Sequence, residues 1–136
     1  MRQILLALGF VAFFLPGSAQ AGERAGFTVD KFGQTVTHAC TDGEGVVVNG
    51  ASNTVTLTGE CGGVTVNGAQ NRVTIASVAD LTVNGSTNTV DADAVDRISV
   101  SGTKNKITWK KAIDEDKKAP SVKKSGKSNS VEQKTE

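Results

Sequence analysis

Tyrosine is absent, histidine occurs once, and beyond Arg24 only two arginines follow, Arg72 and Arg97. Catalysis needs an acid, a base or a nucleophile held in a tuned pocket, and this chain supplies few, so it is read as a non-enzyme without cofactors. The lone His38 is assigned an exposed or capping role rather than that of a base, and two arginines are too few for a long sugar-binding cleft. A body poor in base-stacking side chains and net acidic does not suit nucleic acid. After Leu15 no apolar run approaches the ~20 residues that a membrane-spanning helix requires, which predicts no transmembrane segment.

What is present begins with an address. Met1 and Arg2 give a positive start, Ile4 to Leu15 is almost unbroken apolar sequence, and Ala19-Gln20-Ala21 has the small-residue pattern of a signal-peptidase site. Residues 1–21 are therefore expected to be a signal peptide, with the mature chain starting at Gly22 and exported to the periplasm or beyond. An even cysteine count in an exported chain predicts a disulfide, Cys40 to Cys61. In the chain-entropy account this closure stabilises by about 3 kcal/mol.

Residues 22–109 hold six basic and nine acidic side chains, whereas residues 110–136 hold eight lysines and five acids, with Pro120, four serines and only five Ala, Val or Ile. So little apolar surface cannot offset the entropy of ordering. Residues 111–136 are expected to be a disordered charged tail.

Between these ends a twelve-residue unit recurs four times, starting at Val46 (VVVNGASNTVTL), Val64 (VTVNGAQNRVTI), Leu81 (LTVNGSTNTVDA) and Ile98 (ISVSGTKNKITW), at intervals of eighteen, seventeen and seventeen residues. A period this short marks units that are stable only when stacked on one another. The first, third, tenth and twelfth positions are always apolar: Val46, Val48, Val55, Leu57; Val64, Val66, Val73, Ile75; Leu81, Val83, Val90, Ala92; Ile98, Val100, Ile107, Trp109. The positions between them are mostly polar, giving the period of two that marks a half-buried strand. These sixteen residues are the expected core.

Between the two strand halves lies a corner: Asn49-Gly50 with Asn53, Asn67-Gly68 with Asn71, Asn84-Gly85 with Asn88, and Ser101-Gly102 with Asn105. Glycine accepts positive φ freely and asparagine tolerates it. A two-residue hairpin would resume alternation directly after Asn-Gly, yet two residues intervene, so the hairpin register is poor. The better solution is all-β: a short right-handed parallel β-solenoid of four to five coils, stacked at about 4.8 Å, with the second asparagine of each corner forming a ladder of amides. Its repeats are placed at 46–110, behind an N-terminal cap and degenerate first coil at 22–45. There Phe27-Thr28-Val29 and Thr35-Val36-Thr37 echo the two strand halves. Cys40 and Cys61 then fall at nearly equivalent corners of adjacent coils. Phe27 and Phe32 are expected to cover one end, and Trp109, Ala112 and Ile113 the other.

Other candidate sites are weaker. Asp91, Asp93 and Asp96 have spacing compatible with a hard cation, but alternation sends the first two outward and the third into a bend, so no metal is assigned. Columns of threonine suggest ice binding, yet Arg72, Lys106 and Asp91 interrupt them.

The paired strands around VNGSxN-like corners, behind a signal peptide and an early cysteine, resemble the bacterial exported family known as domain of unknown function 3060, over residues 36–109. The resemblance implies a small β-solenoid and carries no known activity. The expectation is a non-enzymatic binding or scaffold module at the cell envelope, with a small carbohydrate-active or glycan-binding protein as the alternative. The cationic tail would meet an envelope polymer or anionic lipid, or serve only as a solubilising linker. Oligomeric state is left open.

Overall fold

The computed structural model describes residues 26–135, so the expected signal peptide and cleavage point lie outside the described residues. There are eight strands: β1 (Phe27–Val29), β2 (Thr35–Val48), β3 (Thr54–Ala69), β4 (Arg72–Ser86), β5 (Thr89–Thr103), β6 (Lys106–Lys111), β7 (Ser121–Lys124) and β8 (Ser130–Gln133). Every pairing is parallel, and the strands stack in chain order from β1 to β6, with β8 following β6 and β7 lying on β5. This is a β-solenoid. No helix is present among the described residues.

The register is set by the repeat. Val64 pairs with Leu81 and Leu81 with Ile98, while Val55 pairs with Val73 and Val73 with Val90, so each apolar position meets its equivalent one coil away. All sixteen expected core residues are buried. The longer first interval has a local cause: pairing steps from Leu57↔Ile75 directly to Glu60↔Ser77, a bulge that absorbs the extra residue beside Gly59. A one-residue slip without a bulge would have turned every later side chain to the opposite face.

Each coil also has an inward stretch that the repeat does not reveal. Val78 and Val95 are fully buried between the two strand halves, and register places Cys61 in the same column. The Cys40–Cys61 disulfide therefore takes over the column that valines fill in the next two coils, with the Cα atoms 5.1 Å apart. The clue in the sequence was a lone valine three residues after Ile75 and again after Ala92. At the start of the solenoid, Phe27 pairs with Val46 and Thr35 with Thr54, which makes residues 27–37 the two halves of a first coil.

Two expectations are corrected. The tail expected to be disordered is ordered over residues 111–135: β7 and β8 form a further coil on β5 and β6, with Ile98 opposite Val122 and Ile107 opposite Val131. Composition misled because, among the described residues, no strand stacks on the outer face of this coil. Lys124 and Gln133 occupy the columns of Val100 and Trp109, where they meet solvent instead of a core. Such a polar outer face is what a terminal repeat needs. The ends also differ from expectation. Phe32 is 74% exposed and Ile113 is 40% exposed, while Ala112 is buried and Trp109 lies buried beneath the added coil, opposite Gln133.

Candidate binding surface

The corners fix what the outside of the solenoid presents. In all five, from Gly50 to Gly126, positive φ falls on the glycine and on the residue just before the repeated asparagine: Ser52, Gln70, Thr87, Lys104 and Ser128, all between 55° and 58°. The asparagines themselves do not adopt it. They turn inward instead. Asn53, Asn71, Asn88 and Asn105 are almost fully buried.

There each Oδ1 accepts the backbone N–H of its counterpart one coil earlier, as in Asn71 N–H to Asn88 Oδ1 at 3.1 Å and Asn105 N–H to Asn129 Oδ1 at 3.0 Å. From Asn71 onward each Nδ2 donates to the corner-glycine carbonyl of the preceding coil, Asn88 to Gly68 and Asn105 to Gly85, both at 3.1 Å, whereas Asn53 donates to the Lys31 carbonyl at 2.6 Å. The buried ladder is therefore mainly amide to backbone, and it satisfies polar groups that burial would otherwise penalise.

A ladder of side chain to side chain does exist, one column outward. Asn67 Nδ2 donates to Asn49 Oδ1 at 2.9 Å and Asn84 Nδ2 to Asn67 Oδ1 at 3.1 Å. Ser101, which breaks the Asn pattern in sequence, keeps the chain of bonds through its hydroxyl, which donates to Asn84 Oδ1 at 2.7 Å. Both ladders are structural. They hold the corners rigid and leave the flanking side chains to face outward.

His38 and Glu44 belong to the first bend. The imidazole stacks on Phe27 with ring centroids 3.9 Å apart, and Nε2 lies 3.1 Å from both carboxylate oxygens of Glu44. Glu44 also accepts the Thr41 backbone N–H at 3.0 Å, and that bond, followed by the one to His38, holds its carboxyl below the ordinary range. The three parts together form a brace between β1 and β2.

The aspartates are not brought together. Asp91 accepts the Thr108 hydroxyl at 3.3 Å and pairs with Lys134, Asp93 pairs with Lys110 at 3.1 Å, and Asp96 accepts the Asp114 N–H at 3.2 Å. No group of three or more His, Cys, Asp or Glu is placed to hold a metal among the described residues. The threonine columns follow the register, Thr54–Arg72–Thr89–Lys106 and Thr56–Thr74–Asp91–Thr108, so charges interrupt both.

Two open grooves run between such columns near the C-terminal end. One, of about 950 Å³, is bordered by Ser77, Asp93, Lys111, Ile113 and Gln133. The other, of about 280 Å³, is bordered by Thr82, Ser99 and Lys123 on one side and by Arg97, which pairs with Asp80 at 2.6 Å, on the other. No described helix is long and apolar enough to cross a membrane.

No curated protein and no solved structure matches the chain. A family model does match, over residues 48–90 and again over 76–128, and so takes in the corners, the core columns and the start of the added coil. On that match the chain belongs to the family described as protein of unknown function (DUF3060).

Proposed function

We propose that this protein is an exported, non-enzymatic binding module that acts at the bacterial cell envelope. The observation that carries the reading is the outward register: Thr, Asn, Ser and charged side chains stand in straight columns on a backbone that the buried asparagines and one disulfide hold rigid. A regular, pre-organised polar surface loses little entropy on meeting a repetitive partner. The N-terminal sequence and the disulfide support export.

Co-sedimentation of the purified protein with isolated cell-envelope material tests the reading, and retention on the pellet is the expected result. Absence from the envelope fraction, both in cells and in reconstitution, would refute it. A second reading, a small carbohydrate-active protein, draws on the larger groove with Asp93 at its edge. Turnover of a glycan that is lost in Asp93→Asn with the fold intact would establish that reading in place of the first.

A further inference from the structure

Charge is distributed unevenly along the solenoid. Residues 26–103 hold three bases against eight acids, a net of −5, whereas residues 104–135 hold ten lysines against four acids, a net of +6. Of those ten, Lys110, Lys117 and Lys134 pair with Asp93, Asp114 and Asp91. The remaining seven are exposed and make no ion pair among the described residues.

Five of the seven surround one corner. Lys104 sits in the positive-φ position of the Gly102–Asn105 corner, and Lys127 lies one coil further on, bridged to Thr103. Lys106 opens the strand that leaves the upper corner, while Lys123 and Lys124 close the strand that enters the lower one. The backbone beneath them is pinned, since Asn129 bonds Asn105, Gly102 and Ser125. Gathering like charges on a rigid surface raises local repulsion, and a bound anion relieves it.

We propose that this corner, formed by Lys104, Lys106, Lys123, Lys124 and Lys127, is a docking site for a linear polyanion; the proposal rests on the binding reading above and specifies its ligand. Two features favour a chain over a membrane. Lys104, Lys106, Lys123 and Lys127 point outward from two strands and two stacked turns, while Lys124, in the column of Val100, meets solvent at the outer face of the last coil, so a flexible polymer can follow them around the corner while a flat bilayer meets only some. Stable bilayer attachment also wants apolar or aromatic side chains at the surface. Here Trp109 is buried, and the exposed large apolar residue next to Lys123 is Val122, 45% exposed. Lysine binds as a point charge without the bidentate geometry of arginine, so phosphate and carboxylate polymers share the chemistry.

The test is equilibrium binding of the whole purified protein to fluorescently labelled inorganic polyphosphate, and separately to polyglutamate, across a salt series. Binding should weaken steeply with salt because ligand association releases counterions. The combined variant Lys104→Glu, Lys123→Glu, Lys127→Glu should lose affinity by at least about tenfold at low salt. Lys31→Glu, at the opposite end, should leave it unchanged. Because the lysines are exposed, Lys→Gln versions with an unaltered melting profile guard against a folding effect.

Binding to both polymers that is indifferent to the corner lysines would overturn the site. Binding to anionic phospholipid vesicles without binding to either polymer would overturn the ligand class. If neither polymer binds while the protein still pellets with envelope material, this proposal fails and the broader reading stands. If the envelope material fails as well, both fall.

Discussion

The coil at 89–109 and the coil at 121–133 share one corner and differ in their cores. Both turn through Ser-Gly-x-x-Asn, with Ser101, Gly102 and Asn105 in one and Ser125, Gly126 and Asn129 in the other, and both place a positive-φ residue just before the asparagine. At the four core positions the first has Ile98, Val100, Ile107 and Trp109, and the second has Val122, Lys124, Val131 and Gln133. A coil can thus be directed by its corner alone, while the apolar columns decide whether another coil can follow. The corner specifies the path and the core supplies the stability, two signals that coincide in the middle of the solenoid and separate at its end.

The comparison breaks most sharply at the glycines. A Cβ at Gly85 would lie 1.9 Å from the Gly68 carbonyl oxygen, at φ +122, and a Cβ at Gly126 would lie equally close to the carbonyl oxygen of Gly102. Neither backbone can give way without breaking a ladder on both sides, or on one. Gly85→Ala is expected to cost on the order of 4 kcal/mol or more and to abolish cooperative melting. Gly126→Ala should free only the last coil. Hydrogen exchange would then rise over 121–133 while the rest keeps its protection, and loss of the whole fold on that change would mean that the last coil is no mere addition.

Core positions should show the next largest contrast. Val83 is fully buried, so Val83→Asp places a charge without a partner in the core, at roughly 3–5 kcal/mol. Thr82→Asp, one residue away and facing out, should stay within about 0.5 kcal/mol. Lys124→Val changes a core column of the last coil and should be nearly neutral by chemical denaturation. Equal costs for Val83→Asp and Thr82→Asp would refute the register, and a heavy cost for Lys124→Val would refute the capping role.

Asparagines should follow with smaller losses. Asn88→Ala removes the acceptor for Asn71 N–H and donors to Gly68 and Asn105, inside a sealed corner, and is expected to cost about 2–3 kcal/mol. Asn129→Ala, at the half-buried end of the same ladder, should cost nearer 1 kcal/mol. A reversed order in urea titrations would mean that the ladder does not derive its strength from burial.

How much of this could be read from the sequence follows the same division. The two halves of the first coil, the sixteen core positions and the disulfide pairing were visible because β-branched residues alternate with polar ones and the cysteine spacing is close to one coil. The third inward column was missed because a single valine, Val78 or Val95, has no periodicity of its own. The last coil was missed for a different reason. Residues 112–120 stretch its spacing from Ile98 to Val122 to twenty-four, and two of its four core positions are polar. Reading the Gly-x-x-Asn corner by itself would have found it. The inward turn of the asparagines was hidden because a polar residue in a corner is ordinarily assigned to solvent, and only the stacked backbone explains where its bonds go.

The two ends of the solenoid are secured differently, which leads to the smallest expected effect. The last coil depends on its corner, whereas the first is braced by the disulfide and by Glu44 with Thr41 and His38. Because the Thr41 N–H and His38 favour the carboxylate, Glu44 binds its proton less readily in the folded chain than at the reference value of 4.5. Its contribution to stability is therefore fully present above that value and is lost as the pH falls below it and through the lower folded pKa. Glu44→Gln should melt slightly earlier than the wild type near neutral pH, with the difference closing on acidification. The pair is half-buried at the surface of the bend, where nearby solvent screens it and keeps the effect small. If the gap between the two melting curves held constant down to strongly acid pH, the brace would owe nothing to the carboxylate charge, and the first coil would be held, like the last, by its backbone ladder and by the disulfide that the last coil lacks.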